Sequence, residues 1–141
     1  MSIRKFNITF FVTLFLLLPF GCEDMEVLFV DCDECYDENP EVADLTIKFT
    51  INDENPYVRY ILYSGTYDSG DIIAIDTSYT SEVVWSLDTD EYYSVKAEYT
   101  KGARTIFAVD GNELRIKKDR SSCDRECYII LGDELDARLK Y

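Results

Sequence analysis

The chain from residue 45 onward is dominated by apolar and polar side chains that alternate. The segment 45–51, LTIKFTI, alternates strictly, and the segment 93–99, YSVKAEY, does the same. In a β-strand, successive side chains point to opposite faces, so this period of two is typical of a strand with one buried face. The pattern therefore predicts two half-buried strands.

Shorter apolar segments predict further strands at 57–63, 72–77, 83–87, 105–109, 114–116, 128–131 and 135–139. Turn residues separate these segments. The Lys101-Gly102 and Asp110-Gly111 dipeptides predict hairpins, and Gly132-Asp133 predicts a type II′ turn, because glycine adopts the positive φ that such turns need. Asn52–Pro56 and Asp88–Asp90 also have turn composition.

No segment of useful length has a helical period. Eight or nine short strands spaced about 8 to 12 residues apart predict an all-β fold, an antiparallel β-sandwich of about 7–9 strands. Eleven tyrosines agree with this class, since aromatic residues favour strands. We expect the sandwich to occupy residues 43–141.

One stretch carries a family resemblance. Residues 90–111, DEYYSVKAEYTKGARTIFAVDG, resemble transthyretin-like and carboxypeptidase-regulatory-like modules, in which a Tyr-x-Val-x-Ala strand leads into a short hairpin. The resemblance covers about 22 of the 141 residues and implies a β-sandwich. It implies nothing specific about function.

The N-terminal segment has the composition of an export signal. Arg4 and Lys5 precede an apolar run from Ile8 to Phe20, which is shorter than the roughly 20 residues of a spanning helix. The run ends Leu-Pro-Phe-Gly-Cys, which resembles the lipobox of bacterial lipoproteins. The resemblance implies that residues 1–21 are removed and that Cys22 is lipidated; the alternative is an ordinary signal peptide or a short anchor.

Residues 22–42 are expected to form an acidic tether. Glu23–Glu26 resembles a signal that sends lipoproteins to the outer face of the outer membrane. Val27–Val30 is either an edge strand or a docked part of the tether. We therefore expect a lipid-anchored protein of the bacterial cell envelope, at the outer membrane, with the periplasmic and surface faces both open. The first partner implied is the membrane itself.

Charge and composition limit the function classes. The chain has 28 acidic and 14 basic residues, and removal of residues 1–21 leaves 12 basic residues and a formal charge of −16. Such a surface disfavours nucleic acid and anionic lipid headgroups. It favours basic partners or divalent cations, or simply provides solubility. Histidine is absent, which removes the commonest general base and metal ligand. We expect no enzymatic activity and no cofactor.

The remaining four cysteines form two close pairs in sequence, Cys32 with Cys35 and Cys123 with Cys127. In an exported chain they predict two disulfides with three alternative connectivities. Cross-pairing is favoured, because it closes loops of about 90 residues whereas local bridges constrain little; its register stays open. A four-thiolate zinc site or a redox C-x-x-C motif is the alternative, and the acidic flanks disfavour both.

The sequence evidence for a ligand-binding surface is weaker than that for the disulfides. Trp85, Tyr57, Tyr63 and Tyr92 are candidates for an aromatic surface that binds a glycan or a protein, and the alternative is cross-strand packing. Two acidic loops, at 31–34 and 88–91, have oxygen ligands for calcium but are more typical of solvated loops. The leading hypothesis is a membrane-anchored binding module. The alternatives are an assembly subunit that docks through an acidic face and, more remotely, a thiol-redox, hydrolytic or metal-binding protein.

Overall fold

The computed structural model describes residues 32–33, 35–120 and 123–140. The predicted signal peptide, Cys22 and the Val27–Val30 run lie outside the described residues, and so their assignments stay predictions. Across the described ranges the structure has no helix that is long and apolar enough to cross a bilayer.

Eight strands form within these residues, and they confirm the predicted all-β class. They are β1 (Val42–Lys48), β2 (Val58–Ser64), β3 (Asp71–Ser78), β4 (Glu82–Asp88), β5 (Glu91–Lys101), β6 (Arg104–Asp119), β7 (Cys127–Leu131) and β8 (Glu134–Asp136). Two sheets result, a three-stranded sheet in the order β4-β1-β8 and a five-stranded sheet in the order β3-β2-β5-β6-β7. The pairs are antiparallel except that β1 and β8 run parallel.

The core lies between the two sheets, and it is filled by the alternating residues of the predicted strands. Leu45 and Ile47 from β1 face Leu62 from β2 and Val95 from β5, and all four are fully buried. Trp85 of β4 donates a hydrogen bond from Nε1 to the Tyr60 hydroxyl at 3.3 Å, which links one sheet to the other.

The hairpin predicted at Lys101-Gly102 is confirmed. Gly102 has φ of +61° and connects β5 to β6. The hairpin predicted at Asp110-Gly111 is wrong, because β6 continues through both residues in register with β5. Gly111 does not form a turn there, and a Cβ atom at this position would lie 2.5 Å from the Tyr92 hydroxyl, so a side chain here would require the Tyr92 ring to move.

The type II′ turn predicted at Gly132-Asp133 is wrong as a hairpin turn, because the two strands that it connects are not neighbours; the chain bends at Gly132. β7 pairs with β6 in the five-stranded sheet, whereas β8 pairs with β1 in the three-stranded sheet. Gly132 has φ of +74°, and its position against the Glu113 carbonyl leaves no room for a side chain. The connection therefore transfers the chain from one layer of the sandwich to the other.

Candidate binding surface and cysteine clamp

The four aromatic candidates from the sequence do not lie together. Trp85 is half-buried between the sheets and Tyr63 is buried. Tyr57 precedes β2 and its ring lies 5.9 Å from that of Tyr79. Tyr92 is near the start of β5, beside the far end of β2, and β2 is roughly 20 Å long at about 3.3 Å per residue. The structure thus separates Tyr57 from Tyr92 and places Trp85 in a packing role.

The outer face of the five-stranded sheet has a different set of side chains, which lie in two rows across four strands. Residues that lie opposite one another in the strand pairing make up each row. One row is Ile75, Ile61, Lys96 and Val109, from β3, β2, β5 and β6. The adjacent row is Thr77, Arg59, Glu98 and Phe107, in the same strand order.

These rows form a shallow groove of about 280 Å³, which we call the outer-face groove. Its lining residues are Arg59, Tyr60, Ile61, Ile75, Lys96, Glu98 and Phe107. Ile75 is 66% exposed and Phe107 is 52% exposed. Exposed apolar side chains that are contiguous, unlike scattered ones, are typical of interaction surfaces.

The charges in the groove are unusual for so acidic a chain. Among the described residues, neither Arg59 nor Lys96 forms an ion pair, although Glu98 lies directly opposite Arg59 in the strand pairing. The Lys96 ammonium instead lies 4.4 Å from the centroid of the Phe107 ring, within the range of a cation–π interaction. The groove therefore combines an apolar floor with two cations and one carboxylate.

The predicted disulfides are confirmed, and the structure joins the two cysteine pairs crosswise. Cys32 bonds to Cys123 with Cα atoms 5.8 Å apart, and Cys35 bonds to Cys127 with Cα atoms 5.4 Å apart. This is the register that spacing alone leaves open. Directly after the second bridge, Tyr36 pairs with Tyr128 of β7 through two backbone hydrogen bonds of 3.0 and 2.9 Å. We call this region the cysteine clamp.

An ion pair supports the clamp from outside. The Arg125 guanidinium lies 2.8 Å from the Asp37 carboxylate and also donates to the Cys32 carbonyl at 3.3 Å. One of the six acidic residues in the segment 31–42 is thus paired with a cation from the loop before β7. The three sulfur atoms of Cys35, Cys123 and Cys127 lie within 4.8 Å of one another, but a disulfide sulfur is not the thiolate that zinc requires.

Hydrogen bonds within the sandwich hold the acidic loop at 88–91 in place. Asp90 adopts φ of +61° and its Oδ1 accepts a hydrogen bond from the Ile116 backbone at 3.1 Å. Tyr93 donates to the Asp88 carbonyl at 2.9 Å. These contacts fix the turn between β4 and β5. The other acidic loop includes residues outside the described ranges.

Sequence reasoning missed the outer-face groove, yet a signal for it exists. The run Ile106–Val109, IFAV, is apolar at every position, whereas a strand with one solvated face should alternate. An apolar outer face of β6 would explain the run. No protein-family model, curated protein or solved structure matches this chain, so the resemblance to transthyretin-like modules stays a prediction.

Proposed function

We propose that this chain is a lipid-anchored, non-enzymatic interaction module of the bacterial cell envelope, which binds a partner protein through the outer-face groove. The groove carries the proposal. Ile75 and Phe107 remain more than half exposed there, and exposing them to water costs free energy that a partner would recover by covering them.

The lining of the groove suits recognition. Aromatic and aliphatic side chains supply contact area, and a small number of polar groups at the rim determine orientation. Arg59 and Lys96 can donate hydrogen bonds to a partner, and Glu98 can accept them. Because none of the three is committed to an ion pair with another described residue, their hydrogen-bonding capacity is free for a partner.

The cysteine clamp supports the anchoring part of the proposal. Cys22 precedes Cys32 by ten residues, which span at most about 35 Å when fully extended. Cys32 is in turn bonded to Cys123. A lipid at Cys22 would therefore hold the sandwich near the membrane through a short tether whose end is covalently fixed to the folded domain.

Site-specific photo-crosslinking in intact cells tests the binding surface. A photoreactive phenylalanine analogue is placed at position 107 or 75 in the groove, or at Val84 as the control. Val84 is a matched site because it is 60% exposed and lies on β4 of the other sheet. We expect one identified protein to crosslink from both groove positions and not from position 84. Equal crosslinking from all three positions would refute the groove as the binding surface.

Fatty-acid labelling tests the anchor separately. The wild-type protein should incorporate labelled palmitate and the Cys22→Ser variant should not. Retention of label by the variant would show that the anchor assignment is wrong, whatever the crosslinking shows.

A further inference from the structure

The β3 strand is an open edge of the five-stranded sheet. It pairs with β2 on one side and with no other described strand on the second. Natural edge strands are usually protected by lysine, proline, strong twist or short length. β3 has eight residues, DIIAIDTS, without a cation or a proline. A bulge at Ile73 interrupts the pairing with β2, but Ala74–Ser78 is regular.

Backbone groups of this regular segment point outward. The Thr77 backbone N–H donates to Oδ1 of Asp76 at 2.7 Å and so is not directed at β2. Because the direction of backbone groups alternates along an antiparallel strand, Ile75 also directs its N–H and C=O toward the open edge. The Asp76 side chain thus covers one outward donor and leaves the groups of Ile75 uncovered.

The two faces of a strand added at this edge would meet different chemistry. On the outer face its side chains would lie next to Ile75, with Ile61 beyond and the cations of the groove behind them. That environment favours apolar side chains and disfavours basic ones. On the opposite face they would meet Asp76, which is exposed. A carboxylate there favours a basic side chain.

We propose that β3 accepts an extended segment of a partner protein by strand addition, and that this segment alternates apolar and basic residues. The inference rests on the proposed function and specifies the partner of the groove. Backbone hydrogen bonds to Ile75 supply affinity, and the alternating side chains supply specificity. The excess of acidic over basic residues also steers a basic segment toward the domain.

A second copy of the chain fits this edge less well. Each copy brings the same excess of acid, and β3 contributes Asp71 and Asp76 without a compensating cation. Strand pairing would bring these carboxylates within the Debye length of about 8 Å at physiological salt, where like charges repel without full screening. The chemistry of the edge is complementary to a basic strand and not to itself.

Peptide binding to the purified full-length mature protein tests the proposal. The probe is a fluorescent nine-residue peptide that alternates valine and lysine. One control alternates valine and glutamate, and the other is the valine–lysine peptide with every second backbone nitrogen methylated on the edge that faces β3. Methylation keeps the charge and removes the backbone donors. We expect the probe to bind at least tenfold more tightly than either control by fluorescence anisotropy.

Two protein variants locate the site. Ile75→Lys places a cation on the edge and should weaken binding of the probe at least tenfold. Val84→Lys makes the same charge change at a similarly exposed site of the other sheet and should weaken it less than twofold. Circular dichroism of both variants should match that of the wild type, so that loss of binding cannot be ascribed to unfolding.

Three results would overturn the inference. Equal binding of the methylated peptide would show attraction by charge alone. Equal effects of the two lysine variants would place the binding elsewhere. Concentration-dependent dimerisation that Ile75→Lys abolishes, together with no binding of the probe, would show that the edge pairs with a second copy. If crosslinking from position 107 still identifies a partner in any of these cases, the groove remains the binding surface and only strand addition fails.

Discussion

Tyr99→Phe removes one buried oxygen that joins three separate parts of the sandwich. The Tyr99 side chain, from β5, is almost fully buried. Its hydroxyl donates to the Ala137 carbonyl at 2.7 Å, just after β8, and accepts from the Thr50 backbone N–H at 3.1 Å, just after β1. The variant leaves both backbone groups without this partner while it preserves the ring and its packing.

The two losses differ in size. Ala137 is fully buried, so its carbonyl carries the larger cost, about 2 kcal/mol for an unsatisfied buried group. Thr50 is half-buried and water can reach it in part, so we expect about 1 kcal/mol there. The free energy of unfolding should therefore fall by about 2–3 kcal/mol in total. For a domain of this size that corresponds to a decrease in Tm of about 8–12 °C.

Urea denaturation followed by the fluorescence of Trp85 measures this change, since it is the single tryptophan. Tyr79→Phe is the matched control, because Tyr79 is 72% exposed and should change stability by less than about 0.5 kcal/mol. A loss below about 1 kcal/mol for Tyr99→Phe would refute the reasoning, since it would mean that both backbone groups find other partners at little cost.

Three other predictions concern the bridges, the glycines and alkaline pH. Replacing one cysteine of either disulfide with serine should lower the free energy of unfolding by about 2–3 kcal/mol, because the remaining bridge still closes nearly the same long loop, and loss of both bridges should lower it by about 7 kcal/mol. Urea denaturation of the single and double variants checks this, and a double loss equal to the sum of the two single losses would contradict it. Gly132→Ala should destabilise far more than Gly102→Ala in a thermal melt, because both have positive φ but only Gly132 lies against a neighbouring backbone. Burial raises the pKa values of Tyr60, Tyr93 and Tyr99. The free energy of unfolding should therefore fall as the pH rises above about 10, because the tyrosines of the unfolded chain ionise first. This fall should be shallower for Tyr99→Phe, and an equal slope of stability against pH in the variant and the wild type would contradict the prediction.

The strands with strict alternation could be predicted from sequence for a simple physical reason. One face of β1 and of β5 lies in the core and the other is solvated, so polarity follows the pleat directly. The predicted segments 45–51 and 93–99 overlap β1 and β5, although β1 begins and ends three residues earlier than predicted. Burial alone does not specify where a strand ends, since that depends on its partners.

The glycines could not be interpreted in the same way. Asp110-Gly111 and Lys101-Gly102 look alike as turn signals, yet only Gly102 has positive φ. A Cβ atom at Gly111 would meet the end of the Tyr92 side chain, and that is a contact between two strands. The sheet to which the strand after Gly132 belongs could not be predicted either, because β8 pairs in parallel with β1, which lies almost the whole domain away in sequence.

The candidate site was harder to predict than the fold. Residue type makes Trp85 and the tyrosines candidates for a binding surface, but it does not distinguish a strand's core face from its outer face. Phe107 and Ile75 lie on strands that also have apolar residues on the inner face, so the sequence does not show which face is exposed. Only the strand order, which brings β3, β2, β5 and β6 side by side, converts these scattered residues into one surface.

The cysteine clamp also determines how the domain would respond to mechanical force. Tension applied at the N-terminal side of Cys32 passes through its bridge to Cys123, which is 91 residues further along the chain. The intervening segment contains β1 to β6 and would extend to roughly 300 Å if it were unravelled. The bridge bypasses all of it, so tension between the N-terminal side of Cys32 and the C-terminal end of the chain loads only the last strands, and most of the sandwich is shielded from that force.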